Sequence, residues 1–321
     1  MAERSLNVQL LLTGNEIMSG DTVDSNSALI ARRLAEVRLT VARKVTVGDD
    51  FSLLHRELTA MTREADLVIV NGGLGPTVDD LTAEVAAAVA GVPVKEHPEA
   101  VDHLEGWCKR RNLPLNPANR KQARLPEGAT VVPNAIGSAV GFKLVAHDCR
   151  IICTPGVPGE LARMLDDIVA ELTSQMQLEG EVGILRLQTF GLGESTAQQM
   201  IADHCPDWPA DVELGFRAGA PQMEVKLSIV GAEYKQAQER CRAQLYSLFG
   251  DHIIGEGDAT LAGAVLDLLS ERGLRLTTAE SCTGGLIASM LTRVPGSSRA
   301  FEAGFVTYAN HIKHAVLGVS E

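Results

Sequence analysis

The sequence predicts an α/β protein whose N-terminal half is a parallel sheet with helices on both faces. Apolar segments of strand length alternate with segments of helical periodicity, and several apolar segments end in glycine-containing turns that lead into a helix. Strands and helices that alternate in this way build a parallel sheet covered on both faces. The 321 residues are enough for two or three domains.

Composition limits the classes of function. Hydrophobic residues make up 45% of the chain and aromatic residues only 4%, so the core must consist of Leu, Val, Ile and Ala. The net charge is −12, which argues against nucleic acid as a partner because nucleic-acid binding needs a basic surface. A nucleotide stays possible, since local donors and a metal ion can hold it.

The cysteines and the hydropathy pattern indicate a soluble cytoplasmic protein. Six cysteines are present and none forms a C-x-x-C pair, so a zinc site is not expected. With no signal peptide, reduced thiols in a cytoplasm are the simplest interpretation. No apolar run approaches the ~18 residues of a membrane span.

The N-terminal half contains the regular strand and helix alternation. Residues 112–119 are predicted to be a loop, and residues 137–142 a turn between short strands. The helix from Phe51 should bury Phe51, Leu54, Leu58 and Met61 on one face. Strands are predicted at 8–13, 40–47, 67–70 and 150–153, and helices at about 24–37, 51–63, 78–90, 97–111 and 161–174.

The segment Asp66 to Asp80 is the strongest functional motif. A buried strand ends in a turn with Gly72, Gly73 and Gly75, and the predicted helix that follows carries Asp79 and Asp80. Such a turn favours anions through backbone N–H groups and the helix dipole. The two carboxylates would repel a bare phosphate, but a divalent cation such as Mg²⁺ or Mn²⁺ would resolve this conflict. The motif therefore predicts a metal-assisted phosphate site.

Simpler interpretations exist for these residues. Thr77 as N-cap, with Asp80 three residues later, is close to a capping box. Asp24 and Asn26 are candidate helix caps, and Glu16 is either a metal ligand or base or a solvated loop residue. Neither the P-loop pattern nor the G-x-G-x-x-G pattern is present.

A second strand, turn and helix of the same kind follows Cys153, with Thr154-Pro155-Gly156 as its turn. In doubly wound sheets such turns meet at the carboxyl ends of the strands, where ligands bind. We therefore group residues 13–16, 71–80, 137–141 and 154–160 as one pocket. Its candidate substrate-binding residues are Gly14, Asn15, Asp24, Asn26, Asn71, Gly72, Gly73, Gly75, Thr77, Gly137, Ser138, Thr154, Pro155 and Gly156.

A smaller α/β domain is predicted at 183–256, after a linker at about 175–183. Its order of elements, β-α-β-β-α, is similar to a KH domain, but it has neither a G-x-x-G loop between helices nor a basic patch. We expect a structural or dimerising role. The predicted elements are strands at 184–190, 211–216 and 223–229 and helices at 194–204 and 233–249.

A third unit begins near Asp258, and about 60 residues are small for an independent α/β fold. We expect an incomplete domain, or one that a partner chain completes. Strands are predicted at 274–278 and 301–308, and helices at 261–272, with Val265, Leu268 and Leu269 inward, and from Asn310 onward.

Ser281 lies between a strand and a helix and is a candidate nucleophile, with backbone N–H groups nearby for an oxyanion. The alternative role is an ordinary N-cap. Tyr308 and Lys313 are candidate partners that would activate the serine.

These motifs together resemble the CinA family. Thr13-Gly14-Asn15-Glu16, the segment Gly72 to Asp80, and Pro155-Gly156-Val157-Pro158 look like its molybdopterin-binding-like domain, a three-layer α/β/α fold, at 1–175. Ala279 to Gly285, including Thr283 and Gly284, with Pro295-Gly296-Ser297-Ser298 and Val306 to Asn310, looks like the start of its C-terminal deamidase domain at 258–321.

The resemblance implies two activities of pyridine-nucleotide recycling. The first is metal-dependent hydrolysis of ADP-ribose to AMP and ribose 5-phosphate, with Asp80 at the position of the metal-associated aspartate. From the residues themselves we expect Asp79 or Glu16 to help Asp80 hold the ion, which would be Mg, Mn or Co. The second is deamidation of nicotinamide mononucleotide, with Ser281, Tyr308 and Lys313 as catalytic residues; we expect this site to be incomplete. Family members are usually homodimers.

The sequence is also compatible with two other functions. The shared fold also suits an adenylyltransferase or a pterin-binding protein of molybdenum-cofactor synthesis. A dimeric nucleotide-binding scaffold without catalysis is the third possibility, because the middle domain carries no catalytic constellation.

Overall fold

A computed structural model describes residues 6–176, 182–210, 212–219, 221–230 and 234–320. They divide into two compact units, Met1–Glu179 and Gly180–Glu321. Residues 177–181 of the predicted linker, and the predicted element starts at Asp211 and Glu233, lie outside the described residues. No helix within the described ranges is long and apolar enough to cross a membrane.

The first unit alternates strands and helices as predicted. Its strands are β1 (Val8–Thr13), β2 (Val41–Val47), β3 (Leu67–Asn71), β4 (Val94–Glu96), β5 (Arg124–Pro126), β6 (Thr130–Val132), β7 (Gly141–Ala146) and β8 (Cys149–Thr154). Its helices are α1 (Asn15–Ser19), α2 (Asn26–Ala35), α3 (Phe51–Glu64), α4 (Thr82–Ala90), α5 (Pro98–Arg110), α6 (Pro117–Lys121) and α7 (Pro158–Met176).

The main sheet has six strands in the order β2-β1-β3-β8-β7-β6. β2, β1, β3 and β8 are parallel, whereas β7 runs antiparallel to β8 and β6 antiparallel to β7. The antiparallel edge follows from the two-residue connection between β7 and β8, since a parallel pair needs a crossover of a dozen residues. The predicted parallel sheet is therefore mixed at one edge.

The register brings the carboxyl ends of the four parallel strands to one edge. Thr13 is the partner of Val47, Leu12 of Asn71, and Asn71 of Thr154. The turns that follow these residues consequently lie side by side.

Both faces of the sheet are covered, which confirms the α/β class. One apolar core contains Leu11, Val68 and Val70 with Leu54 and Leu58 of α3. The other contains Leu10, Leu12 and Ile69 with Ile30 of α2 and Leu161, Leu165, Ile168 and Leu172 of α7.

Three local predictions for this unit were wrong. Phe51 is 42% exposed, because it starts α3 and stacks on His55 outside the core. The predicted loop 112–119 contains the start of α6, which Asn116 caps by accepting the N–H of Asn119 at 2.7 Å. The helix predicted from 78 begins only at Thr82, so Asp79 and Asp80 lie in the turn before it.

The second unit begins with an antiparallel sheet in the order β10-β11-β9-β12. Met223, Val225, Leu227 and Ile229 are buried together with residues of α8 and α9, as the alternating pattern predicts. The elements are β9 (Val182–Phe190), α8 (Glu194–His204), β10 (Val212–Gly219), β11 (Gln222–Val230), α9 (Tyr234–Phe249), a 3₁₀ turn (Gly250–His252) and β12 (Ile253–Glu256).

Its second sheet pairs two parallel strands over a small core of Leu266, Leu291 and Ala300. Leu266 is the buried residue of α10, whereas Val265 and Leu268, predicted inward, are 37% and 47% exposed. So small a core contacts one narrow stripe of the helix. The elements are α10 (Leu261–Glu271), β13 (Leu276–Glu280), α11 (Leu286–Thr292), a 3₁₀ turn (Ser297–Arg299), β14 (Phe301–Val306) and α12 (Asn310–Leu317).

Candidate active site

The turns at the carboxyl ends of β1, β3 and β8 surround a cavity of about 580 Å³. Most of the predicted pocket residues line it, but Asn15, Asn71, Gly137 and Thr154 do not. The predicted residues that line it are Gly14, Glu16, Asp24, Asn26, Gly72, Gly73, Gly75, Thr77, Asp79, Asp80, Ser138, Pro155 and Gly156.

The lining is strongly acidic. Six carboxylates contribute to it, and no lysine or arginine among the described residues does. Without a cation, this cavity would repel any ligand that carries phosphate. The six are Glu16, Asp24, Asp49, Asp79, Asp80 and Glu160.

Asp80 closes a turn of its own. Its Oδ2 accepts hydrogen bonds from the Thr77 N–H at 2.8 Å and from the Thr77 hydroxyl, and its N–H approaches the Thr77 carbonyl oxygen at 3.4 Å. Half of the predicted capping box is therefore present, but it closes a turn rather than starting a helix. Oδ1 of Asp80 has no hydrogen-bond partner among the described residues and stays available.

Asp79 lies beside Asp80 on the exposed side of this turn. The Thr77 hydroxyl and the Asp79 backbone N–H lower the pKa of the Asp79 carboxyl below its usual range. One hydroxyl has one proton, and its hydrogen bond is to Asp80, so its effect on Asp79 is that of a nearby dipole. Asp79 is consequently a carboxylate at neutral pH.

Glycine is required where the turn leaves β3. Gly72 has a φ of +107°, and a Cβ atom there would lie 2.5 Å from the carbonyl oxygen of Thr13. Its N–H donates to the Thr154 carbonyl, so it is not available to an anion. Thr82 fixes the other end of the turn. Its hydroxyl donates to the Gly72 carbonyl oxygen at 2.7 Å, and its N–H donates to the Gly73 carbonyl oxygen.

A buried amide network joins three turns beneath the cavity. Asn71, 2% exposed, donates to Thr154 Oγ1 at 3.1 Å and to the Pro155 carbonyl at 2.8 Å. Asn26 donates to Asn71 Oδ1 at 2.9 Å and to the Gly156 carbonyl at 2.7 Å. Asn26 is thus not a helix cap. Both amide orientations follow from these contacts, because backbone carbonyls only accept.

Asp24 does cap α2. Its Oδ1 accepts the Ser27 N–H at 2.9 Å, and Lys44 Nζ lies 3.2 Å from its Oδ2. Burial alone would raise the pKa of Asp24, but the hydrogen bonds from Ser27 and the Lys44 ammonium outweigh it and lower the pKa. The group therefore stays ionised at the cavity wall.

Asp49 is a site residue that the sequence analysis missed. Its carboxylate accepts the Thr13 hydroxyl at 2.6 Å and the Asn15 N–H at 2.9 Å, and its own N–H donates to Asn15 Oδ1 at 3.1 Å. Asn15 therefore braces the turn rather than lining the cavity. The sequence signal was present: the Gly48-Asp49 turn at the end of β2 is a glycine-containing turn after a strand, like the turns that were grouped into the pocket.

Ser138 reaches the cavity from the loop between β6 and β7. Asn134 Oδ1 accepts the Gly137 N–H at 2.9 Å, and Asn134 Nδ2 donates to Glu160 at 2.7 Å. Glu160 lies directly on Gly137, where a Cβ atom would be 2.1 Å from its Oε2. Gly137 therefore makes room for an acidic side chain of the lining.

The donor set fits a cation that arrives with its ligand better than a preformed metal cage. No group of three or more His, Cys, Asp or Glu side chains among the described residues is close enough to hold an ion alone. Mg²⁺ is usually bound through one or two carboxylates plus substrate phosphates. Asp79 and Asp80 supply such a pair.

In the second unit, Ser281 and Tyr308 follow the ends of neighbouring parallel strands. Glu280 is the register partner of Val306, so the two residues come to the same edge of this sheet. Tyr308 is 75% exposed, and no hydrogen bond within the described chain joins the side chains of Ser281, Tyr308 and Lys313.

Glu280, also missed by the sequence analysis, occupies the N-terminus of α11. Its carboxylate accepts the N–H groups of Ile287 at 3.0 Å and Ala288 at 2.9 Å. Burial opposes ionisation, but these bonds outweigh it and lower the pKa of Glu280. The Gly284 N–H donates to the Ser281 carbonyl oxygen at 3.1 Å, so neither it nor these two N–H groups of α11 are available to an oxyanion at Ser281.

Two separate parts of the chain match known protein families. Residues 9–175 match the family described as probable molybdopterin binding domain, and residues 258–321 match the CinA C-terminal domain. A CinA-like protein of Colwellia psychrerythraea is 48% identical over 316 residues, 97% of this chain and 73% of that protein. A CinA-like protein of Anaeromyxobacter sp. is 40% identical over 318 residues, which are 98% of this chain and 77% of that protein. The crystal structure of the protein CinA with unknown function from Thermoplasma acidophilum aligns with 52% of this chain and 98% of its own, at a TM-score of 0.49 and 30% identity. The chain belongs to the CinA family.

Proposed function

We propose that the first unit hydrolyses the diphosphate bond of ADP-ribose, giving AMP and ribose 5-phosphate, together with a divalent cation (Mg²⁺, Mn²⁺ or Co²⁺). The supporting observation is the cavity lined by six carboxylates and no described lysine or arginine. Two like charges 4 Å apart repel by about 4 kcal/mol near a protein surface. A diphosphate would therefore enter this cavity only when a cation neutralises it.

Asp79 and Asp80 would hold the cation. Thr77 occupies Oδ2 of Asp80, which keeps the carboxylate oriented with Oδ1 available. When bound, the cation neutralises charge on the phosphates and lowers the pKa of a coordinated water.

The chain itself positions the diphosphate and accepts a proton. Water adds to one phosphorus, the bond from that phosphorus to the bridging oxygen breaks, and the proton of the water must be accepted. Glu16 lines the cavity and is the candidate acceptor. N–H groups of the Gly73–Gly75 turn would bind non-bridging oxygens, and Ser138 would contact the sugar side.

The test is product analysis with the full chain, ADP-ribose and each metal. We expect AMP and ribose 5-phosphate from the unsubstituted protein and loss of this turnover in Asp80→Asn. The matched control is Asp148→Asn, which changes a carboxylate in the β7–β8 hairpin at the opposite end of β8. Undiminished cleavage by the Asp80→Asn protein would refute the role of Asp80.

The same samples discriminate the alternatives. A thermal-shift panel of ADP-ribose, ATP and molybdopterin, with and without metal, separates hydrolysis from an adenylyltransferase or pterin-binding function. Tight nucleotide binding without turnover would favour the third alternative, a homodimeric nucleotide-binding scaffold without catalysis.

Deamidation of nicotinamide mononucleotide is a second candidate function, for the second unit. It is supported by the parallel pairing that brings Ser281 and Tyr308 to one sheet edge. Incubation with nicotinamide mononucleotide, run separately, should release ammonia in a Ser281-dependent manner; no release from this chain would remove the candidate.

A further inference from the structure

We propose that Lys121 is a positioning residue that holds the turn carrying Asp79 and Asp80 in the orientation needed for cation binding. Lys121 is the last residue of α6, which the sequence analysis assigned in part to a loop. Its Nζ donates to the carbonyl oxygens of Thr77 and Asp80, each at 2.6 Å. These two carbonyls belong to the residues at the ends of the turn.

The base and the tip of this glycine-rich segment are held differently. Thr82 anchors the base through the carbonyls of Gly72 and Gly73. At the tip, the hydrogen bonds between Thr77 and Asp80 are internal to the turn. Lys121 connects that tip to a different element, and Val78 beyond it is 92% exposed. The orientation of the two carboxylates relative to the cavity therefore depends on Lys121.

The Lys121 ammonium binds the backbone of the turn and not its acidic side chains. It donates to carbonyl oxygens rather than to a carboxylate, so it leaves Oδ1 of Asp80 available for a cation. Lys121 thus holds the turn without occupying a carboxylate oxygen of Asp79 or Asp80.

The test compares Lys121→Met, Lys121→Arg and Lys95→Met in the full chain. Lys95 forms a surface ion pair with Glu127, so Lys95→Met is a control that removes one lysine away from the turn. Lys121→Met should raise the metal concentration for half-maximal ADP-ribose hydrolysis about tenfold to a hundredfold. Lys121→Arg should restore part of the loss, and Lys95→Met should change nothing.

The kinetic readout rests on the proposed hydrolysis, so a second readout avoids turnover. Hydrogen exchange of peptides covering 73–82, in protein without substrate, should be faster in Lys121→Met and unchanged in Lys95→Met. Unchanged exchange in Lys121→Met would overturn the inference whether or not the protein hydrolyses ADP-ribose. Faster exchange in a protein without any turnover would support the brace while the proposed function fails.

Discussion

The buried Asn26–Asn71–Thr154 network should stabilise the first unit in proportion to the hydrogen bonds that each side chain makes. Asn71→Ala removes three bonds, and Asn26→Ala removes two. Thr154→Val removes the bond from Asn71 and the longer one, 3.3 Å, to the Val70 carbonyl. At about 1 kcal/mol for each well-formed bond, we expect losses of about 3, 2 and 1 kcal/mol respectively.

Tryptophan fluorescence can report this unit alone. The chain has two tryptophans, and Trp107 lies in α5, so a Trp208→Phe background leaves one probe in the first unit. Urea unfolding of the three variants in this background gives the free energies. Equal losses for all three variants would contradict a stabilisation by these hydrogen bonds. A loss below about 0.5 kcal/mol for Asn71→Ala would also contradict it, because losses that small are typical of surface substitutions.

Two further predictions concern single residues of the two units. A Cβ atom at Gly75 would lie 2.5 Å from Asp80 Oδ2, so Gly75→Ala should displace that carboxylate and lower metal-dependent hydrolysis about tenfold, a change of roughly 1.4 kcal/mol. Gly159→Ala, where nothing lies within 4 Å, is the control, and equal rates in both variants would contradict the proposed contact. In the native protein, a thiol reagent at pH 8 should label Cys282 promptly and the five buried cysteines slowly, since burial raises the pKa of Cys149 to about 11 and that of Cys153 further. Prompt labelling of several thiols per chain, counted by mass spectrometry, would contradict this burial.

The sequence predicts the sheet and its pocket well, because continuous apolar strands and the turns after them are local signals. The register of β1, β3 and β8 then brings residues distant in sequence to one edge without further information.

Other features were not predictable because long-range contacts decide them. Thr77 and Asp80 can exchange the same hydrogen bonds in a helix start or in a turn, and local pattern does not distinguish the two. Lys121 acts on carbonyls 41 and 44 residues earlier in the chain, which no local motif encodes. Asn26 has the composition of a cap but becomes a buried connector, since Asn71 and Gly156 reach it from other turns.

The proposed function requires that this acidic cavity binds a diphosphate only with a cation. Isothermal titration of the full chain with ADP-ribose, at constant ionic strength, measures this directly in EDTA and in Mg²⁺. We expect binding in Mg²⁺, none detectable in EDTA, and none in either buffer for Asp80→Asn. Equal affinity with and without the cation would contradict it.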